Sequence, residues 1–175
     1  MAEREYLEHG FGPFYREDSR LLILGSFPSV KSREACFYYG HPQNRFWRVL
    51  AGVFGENQPV PLEEKKEFLT RHRIALYDVI ESCSIIGSAD STIEDVVVTD
   101  LSPILKGSNI GPRIFTNGGK ANALYTKYTY SKTGIPAIRL PSTSPANAAS
   151  SLERLTWEWS ALLLPAIKES EGEEK

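Results

Sequence analysis

The chain has 175 residues, a formal net charge of −2 and 41% hydrophobic residues, which is ordinary for one compact domain over residues 1–175. Its polar, charged N-terminus and the lack of any apolar run near roughly 20 residues argue against a secretory signal and a membrane span. The small negative charge argues against an indiscriminate grip on polyanions. The two cysteines and three histidines lack disulfide or metal-ligand spacing, so we expect no metal and an intracellular, cytoplasmic setting.

The predicted elements alternate between strands and helices from residue 21 onwards. Residues 1–20, which include two glycines and a proline, predict an irregular lead-in. The apolar run Leu21–Leu24 stops at Gly25 and predicts a strand buried on both faces, followed by a long loop. The later predictions are a helix over 43–54, a helix over 61–72, a strand over 74–80, a loop over 81–99, a short helix to residue 106, a strand over 113–116, a helix over 120–128, a strand over 136–140, a helix over 151–168 and an acidic, frayed tail over about 169–175.

This alternation predicts an α/β fold with three layers, α/β/α, around a central, mostly parallel sheet of four strands. The strands that end near Gly25, Asn117 and Pro141 carry the loops richest in polar and aromatic residues. Because parallel strands end at the same edge of a sheet, these loops should converge where open α/β folds bind their ligands.

Aromatic and amide side chains gather directly after the first strand. Phe37, Tyr38 and Tyr39 are followed by the run His41–Trp47, which contains Asn44. This combination suits a pocket for a flat, polar, ring-shaped ligand. The aromatic rings can stack on such a ligand, the amides can bind its polar edge, and the glycine turn lets it approach the backbone. Phe46 and Trp47 recur at helical spacing with later apolar residues, which favours core packing for both.

These motifs resemble the uracil-DNA glycosylase superfamily, most closely its hypoxanthine (deoxyinosine) DNA glycosylase branch, which is related to the mismatch-specific uracil-DNA glycosylases. The resemblance rests on the Gly25–Ser29 turn, the HPxNRFW run His41–Trp47, the stretch Ile114–Gly118 and the stretch Leu140–Asn147, in family order. It implies a monofunctional DNA glycosylase that hydrolyses the N-glycosidic bond of deaminated bases in base excision repair. Hypoxanthine is the favoured base and uracil the second, with DNA containing deaminated bases as partner, no cofactor and a monomeric state.

The resemblance assigns catalysis to Asn44, beside the glycosidic bond, where an amide could orient a water. The alternative for Asn44 is a helix-start residue that bonds local backbone. Phe27 occupies the position at which the mismatch-specific uracil enzymes carry asparagine and other branches aspartate, and a phenylalanine cannot activate water. Either catalysis has moved to Asn44 or the protein is feeble on uracil. Ser26 is a second candidate helper, although a turn hydroxyl is the preferred interpretation.

Further residues are expected to bind the base. Tyr39 matches the stacking aromatic of the family, and Asn117 can read a lactam edge because an amide both donates and accepts. The alternative for Asn117 is a turn residue before Gly118, and a structural hydrogen bond is preferred for His41. The base-binding set is Gly25, Ser26, Phe27, Tyr39, His41 and Asn117.

Contacts to DNA are expected from two segments. The stretch Leu140–Asn147 resembles the loop that enters the minor groove, and its Ser142, Thr143 and Ser144 could donate to phosphate oxygens. Residues 101–139 contain six Lys or Arg and no Asp or Glu. Lys120 in this segment is a candidate DNA contact, although a merely solvated surface is the alternative.

Two other functions remain open from the sequence. Phe27 could leave the protein a non-catalytic module that binds nucleic acid or nucleotides, and the same fold could hydrolyse free nucleosides or nucleotides. No lysine stands where a motif would predict a Schiff base, so simple hydrolysis without strand cleavage is expected. Release of a base from an oligonucleotide distinguishes these alternatives.

Overall fold

The computed structural model describes residues 3–173 of the chain. Its strands are β1 (Arg4–Glu8), β2 (Leu21–Gly25), β3 (Ile74–Asp78), β4 (Ile80–Ile86), β5 (Glu94–Val98), β6 (Ile114–Asn117) and β7 (Ile138–Leu140). Its α-helices are α1 (Val30–Ala35), α2 (Phe46–Phe54), α3 (Leu62–His72), α4 (Ser102–Lys106), α5 (Gly119–Leu124), α6 (Tyr130–Thr133) and α7 (Leu152–Glu173). A 3₁₀ turn covers Asp90–Thr92, and a π-helical turn over Tyr125–Thr129 joins α5 to α6.

A parallel sheet of four strands, in the order β3-β2-β6-β7, lies at the centre of the fold. The first four residues of β2 are fully buried, as the continuous apolar run predicts. In the register of the sheet, Gly25 pairs with Asp78 and Asn117 pairs with Leu140, so the carboxyl ends of all four strands lie at one edge. The predicted α/β class and four-stranded parallel sheet are confirmed.

Successive residues of β2 point into two separate cores, because side chains alternate across a strand. Leu21 and Ile23 pack in the core that contains residues of α2, α3 and α7. Leu22 and Leu24 pack in the core that contains residues of α4, α5 and β4. The sheet therefore has helices on both faces, and a strand of a second sheet joins one of the two layers.

The second sheet contradicts two predictions. Its three antiparallel strands, in the order β1-β4-β5, occupy parts of the predicted lead-in over 1–20 and the predicted loop over 81–99. The outer strands β1 and β5 carry mostly exposed residues, and β5 consists of two acidic residues followed by three valines. Neither strand therefore shows the alternating apolar pattern of a half-buried strand. Strand β4 begins two residues after β3 ends. The predicted strand over 74–80 therefore joined the whole of β3 to the first residue of β4.

Other boundaries also differ from the predictions. Helix α2 begins at Phe46 rather than at residue 43, because residues 42 and 43 form a turn and the Asn44 side chain accepts a hydrogen bond from the Phe46 N–H. The predicted loop after β2 contains α1, whose first turn is capped by Ser29. Cys36, which ends α1 in a left-handed conformation, is exposed.

The C-terminal helix extends beyond the predicted end at residue 168. Helix α7 continues to Glu173, whose carboxylate accepts a hydrogen bond from Arg113 at 3.0 Å. Ser170 is buried, so the helix remains packed against the fold beyond residue 168. Residues 174 and 175 of the predicted tail lie outside the described residues. Between residues 3 and 173, no helix combines the length and the apolarity needed to cross a membrane.

Candidate active site

A cavity of about 530 Å³ opens at the carboxyl edge of the parallel sheet. The loops after β2, β6 and β7 meet there, as the sequence predicts, and the segment between β4 and β5 closes one side. Its predicted lining residues are Gly25, Ser26, Phe27, Tyr39, His41, Asn44, Asn117, Ser142, Thr143 and Ser144. The sequence did not predict Asp78, nor Ser88, Ala89, Asp90 and Ser91. Lys120 lies outside this lining and is exposed at the start of α5.

Gly25 allows two polar groups to approach the end of β2. A Cβ atom at this position would lie 2.4 Å from Asp78 Oδ1 and 3.1 Å from the Tyr39 hydroxyl. The first distance is shorter than any normal contact, and Asp78 is held from behind by His9. The floor of the cavity therefore requires glycine at residue 25.

Tyr39 lines the cavity and is supported by the core. Its ring stacks on Phe46 with the centroids 3.8 Å apart and an angle of 16° between the planes. Its backbone has a φ of 54°, a left-handed conformation that side-chain-bearing residues rarely adopt. Burial and the nearby Asp78 carboxylate raise the pKa of the Tyr39 hydroxyl, so it stays protonated at neutral pH. Phe37 and Tyr38 are core residues, and Tyr38 also contributes to the cavity wall.

The two predicted amides are joined through Thr143. The Thr143 hydroxyl donates to Asn44 Oδ1 at 2.8 Å and accepts from Asn117 Nδ2 at 2.9 Å. Thr143 is completely buried, so its hydroxyl has no free donor for a phosphate, contrary to the predicted DNA contact. The three residues come from three different loops, and this network fixes how the loops sit relative to one another.

Backbone donors determine the orientation of both amides. The Phe46 N–H donates to Asn44 at 3.0 Å, and the Thr143 N–H donates to Asn117 at 3.1 Å. A backbone N–H can only donate, so the atom that receives it must be the amide oxygen in each case. The assignment of Oδ1 and Nδ2 thus follows from the network itself.

The remaining hydrogen-bonding capacity of the two amides differs. Asn44 Oδ1 accepts from Phe46 N–H and from Thr143, which fills both of its lone pairs, and Asn44 therefore presents only N–H donors to a ligand. Asn117 has one lone pair left and a second N–H that lies near the Tyr39 hydroxyl, because Thr143 uses the other of each. Asn117 can pair with a lactam edge, whereas Asn44 can stabilise negative charge but cannot accept a proton.

Arg45 fixes the loop that supplies Thr143, a role that the sequence reasoning did not assign. Its guanidinium donates to the carbonyl oxygens of Ser144, Asn147 and Ser150 at 3.2, 2.8 and 2.5 Å, and its backbone N–H donates to Thr143 O at 3.0 Å. The five donors of an arginine suit several carbonyls at once. The arginine of the HPxNRFW run was the available signal.

Two carboxylates face the cavity. Asp78 Oδ2 lies 2.7 Å from His9 Nε2, and both side chains are at least 95% buried. Asp90 keeps solvent access, and its Oδ2 accepts a hydrogen bond from Ser26 Oγ at 2.9 Å. Partial desolvation and the negative charge of Asp78 raise the pKa of Asp90, while the Ser26 hydroxyl and Lys120 act in the opposite direction. The sequence did not identify either residue as part of the site, because Asp78 fell within a predicted strand and Asp90 within a predicted loop.

Three further positions were predicted. His41 Nδ1 accepts from the Gln43 N–H at 3.1 Å, which matches the preferred structural hydrogen bond and leaves Nε2 as the donor of a neutral imidazole. Phe27 is buried and forms part of the cavity wall. Lys120 is near the rim, because α5 starts directly after Asn117 and Gly118.

A cavity at the carboxyl edge of a parallel sheet, lined by rings, two oriented amides and carboxylates, defines a protein that binds a flat, polar ring such as a nucleobase. Residues 13–163 match the uracil DNA glycosylase superfamily. A protein of Methanosarcina acetivorans named hypoxanthine DNA glycosylase is 36% identical over 157 residues, covering 89% of this chain and 98% of that protein. The chain belongs to the uracil DNA glycosylase superfamily.

Two further similarities agree with this assignment. A Methanosarcina barkeri protein, also named hypoxanthine DNA glycosylase, is 35% identical over 119 residues, covering 67% of this chain and 75% of that protein. A solution NMR structure from Methanosarcina acetivorans, described as a candidate uracil DNA glycosylase, superposes with a TM-score of 0.75 at 35% identity and covers 95% of this chain and 99% of that one. The predicted class, a DNA glycosylase that acts on DNA, is confirmed.

Proposed function

We propose that the protein removes hypoxanthine from DNA by hydrolysing its N-glycosidic bond, with uracil as the weaker substrate. In this proposal it acts as a monomer, without a cofactor and without cutting the strand. The relatives named hypoxanthine DNA glycosylase support the choice of base. The single observation that carries the proposal is the Asn44–Thr143–Asn117 network, because it presents a lactam reader and a charge-stabilising donor to the same cavity.

Recognition of the base is assigned to Asn117 and Tyr39. The remaining lone pair of Asn117 and its second N–H, which lies near the Tyr39 hydroxyl, match the N–H and C=O of a lactam edge, which hypoxanthine and uracil share. Adenine and cytosine present an amino group and a bare ring nitrogen at that edge, the opposite pattern. Tyr39 and Phe27 supply ring surface for a base that has left the DNA stack, a step that costs a few kcal/mol.

Asn44 is proposed to stabilise the departing base. As the glycosidic bond breaks, the sugar gains positive charge and the base gains negative charge. The N–H groups of Asn44 can donate to the base as this charge develops, and donors preorganised in this way are worth about 10²–10³ in rate. This role replaces the predicted orientation of a water, because the Asn44 oxygen is already filled by Phe46 N–H and Thr143.

The DNA backbone is proposed to cross the rim beside α5 and the loop after β7. Lys120 is exposed at the start of α5, and the Arg139 guanidinium lies against the adjacent Gly119, 2.9 Å from where a Cβ would stand. Ser142 and Ser144 line the rim and remain candidates for phosphate contacts, the commonest contacts between proteins and DNA.

The test is release of free hypoxanthine from a duplex that contains one deoxyinosine, measured in single turnovers with excess protein. Asn44→Ala should lower the rate about 10²–10³-fold. The exposed Asn57 lies between α2 and α3, so Asn57→Ala is the matched control and should keep the wild-type rate. An unchanged rate in Asn44→Ala would show that the catalytic assignment is wrong.

The same assay distinguishes the alternative functions. Binding of the duplex without release of any base would indicate a non-catalytic module. Faster hydrolysis of free deoxyinosine than of the duplex would indicate a nucleoside hydrolase. A duplex with deoxyuridine in place of deoxyinosine tests the second substrate, for which we expect a lower rate of base release.

A further inference from the structure

Hydrolysis is accelerated by a group that accepts a proton from the attacking water, and few groups in the cavity can do so. Phe27 has no polar atom, and the Asn44 oxygen is filled. His41 accepts through Nδ1 from the Gln43 N–H, so its other ring nitrogen is a donor while the ring is neutral. Serine hydroxyls are poor bases at neutral pH. The carboxylates of Asp78 and Asp90 remain.

Asp78 is committed to structure. Its Oδ2 is paired with His9, and its Oδ1 lies against Gly25, 2.4 Å from where a Cβ would stand. The side chain is 5% exposed, so a water in the cavity has little access to it. Asp78 shapes the floor of the cavity.

Asp90 has the opposite properties. It lines the cavity, keeps solvent access, and leaves Oδ1 without a donor among residues 3–173. Its Oδ2 is fixed by the Ser26 hydroxyl, and Ser26 directly precedes Phe27. The carboxylate is therefore fixed against the turn that follows β2, at the carboxyl edge of the sheet.

We propose that Asp90 is a further catalytic residue, the general base that activates the attacking water, with Ser26 as its positioning residue. The inference rests on the proposed function. The C1′–N9 bond of deoxyinosine breaks and its electron pair leaves with the base, towards the Asn44 N–H donors. The water oxygen bonds to C1′ and one of its protons passes to Asp90. That proton is then lost to solvent, and the base takes up one proton, so the products are hypoxanthine and an abasic sugar.

The charged and titratable groups around Asp90 set the pH dependence. Asp78 faces it from β3, Lys120 from α5, Tyr39 from the loop after α1 and Cys83 from β4. Tyr39 and Cys83 are neutral near pH 7, because burial raises the pKa of each. A general base works only when ionised, and a pKa closer to neutral makes it a stronger proton acceptor. The rate should therefore rise with pH through the raised pKa of Asp90.

The test compares single-turnover rates of hypoxanthine release between about pH 4.5 and pH 8. Asp90→Asn should lower the plateau rate about 10²-fold or more and remove the decline at low pH. Added formate should restore part of the rate of Asp90→Ala, because it can accept the proton in place of the missing carboxylate. Glu94→Gln, on the exposed strand β5, removes the same charge outside the cavity and should behave as wild type.

Ser26→Ala gives a separate readout with a defined sign. The Ser26 hydroxyl lowers the pKa of Asp90, so its removal should move the low-pH decline to higher pH while the plateau rate changes much less. A role confined to folding would not move this decline. The variant also decides the matter if Asp90→Asn proves unstable in thermal unfolding.

Three results overturn the inference. The first is an Asp90→Asn rate and pH profile equal to wild type. The second is a lower rate with the low-pH decline intact and no rescue by formate. The third is a Ser26→Ala profile with an unmoved decline. Failure of wild-type protein to release any base would instead contradict the proposed function, so the two failures are distinguishable.

Discussion

The Thr143 hydroxyl is the smallest group whose removal should disable both amides. Thr143→Val keeps the branched shape of the side chain and replaces the hydroxyl with a methyl group. That hydroxyl donates to Asn44 and accepts from Asn117. Because Thr143 is fully buried, no water can take the place of the lost group without a rearrangement. The substitution therefore separates hydrogen bonding from packing.

The magnitude follows from what each amide retains. Asn44 Oδ1 keeps the Phe46 N–H, and Asn117 Oδ1 keeps the Thr143 N–H, so neither amide is left without a bond. One hydrogen bond of about 1 kcal/mol is lost to each amide, and both amides line the cavity, where water reaches them. We expect a loss of about 1–2 kcal/mol in the free energy of unfolding. The rate of base release should fall about 10–100-fold, since the Asn44 and Asn117 side chains are no longer fixed in position relative to each other.

Two control variants define the result. Thr143→Ser keeps the hydroxyl and should retain most of the activity. Thr129 is also buried, and its hydroxyl has no hydrogen-bond partner among the described residues. Thr129→Val should therefore leave the free energy of unfolding unchanged or raise it. Urea denaturation and single-turnover release of hypoxanthine measure both properties. If Thr143→Val behaves like Thr129→Val in both assays, the network has no part in stability or catalysis.

Two further substitutions test the cavity floor and a surface cluster. Gly25→Ala places a Cβ against Asp78 and Tyr39. The rate of base release should fall about 10-fold or more, and the free energy of unfolding measured in urea should fall by about 1–3 kcal/mol. Gly12→Ala is the control, because a Cβ at residue 12 would meet no atom within 4 Å. Arg71 and His72 lower the pKa of Glu56, so its contribution to stability is complete above its ordinary pKa of about 4.3 and is lost as the pH falls through the lowered value. Arg71→Ala should reduce this pH dependence of the melting temperature, and an identical dependence in wild type and variant would refute the assignment.

The parts of the fold that the sequence predicted correctly have local causes. The run Leu21–Leu24 is apolar because both faces of β2 are buried, and the glycine at its end marks the turn that carries the site. The strands ending near Asn117 and Leu140 are also followed by turn residues, two glycines in the first case and a proline in the second. The strands β1 and β5 were missed because they are paired through their backbones while their side chains remain largely in water. The three valines of β5 favour a strand, but they do not show which strand pairs with it.

The site was predicted less completely than the fold, for a related reason. Asn44 and Asn117 were identified by their motifs, but an amide carries both a donor and an acceptor, and the sequence does not say which one faces the ligand. That choice is made by the N–H groups of Phe46 and Thr143, which meet the amides only after folding. In the proposed mechanism this orientation makes Asn44 a hydrogen-bond donor to the departing base. Activation of the water is then assigned to Asp90, which lies in a different segment. A phenylalanine at residue 27 is then compatible with hydrolysis, because the two halves of the reaction are assigned to side chains that the motifs do not place together.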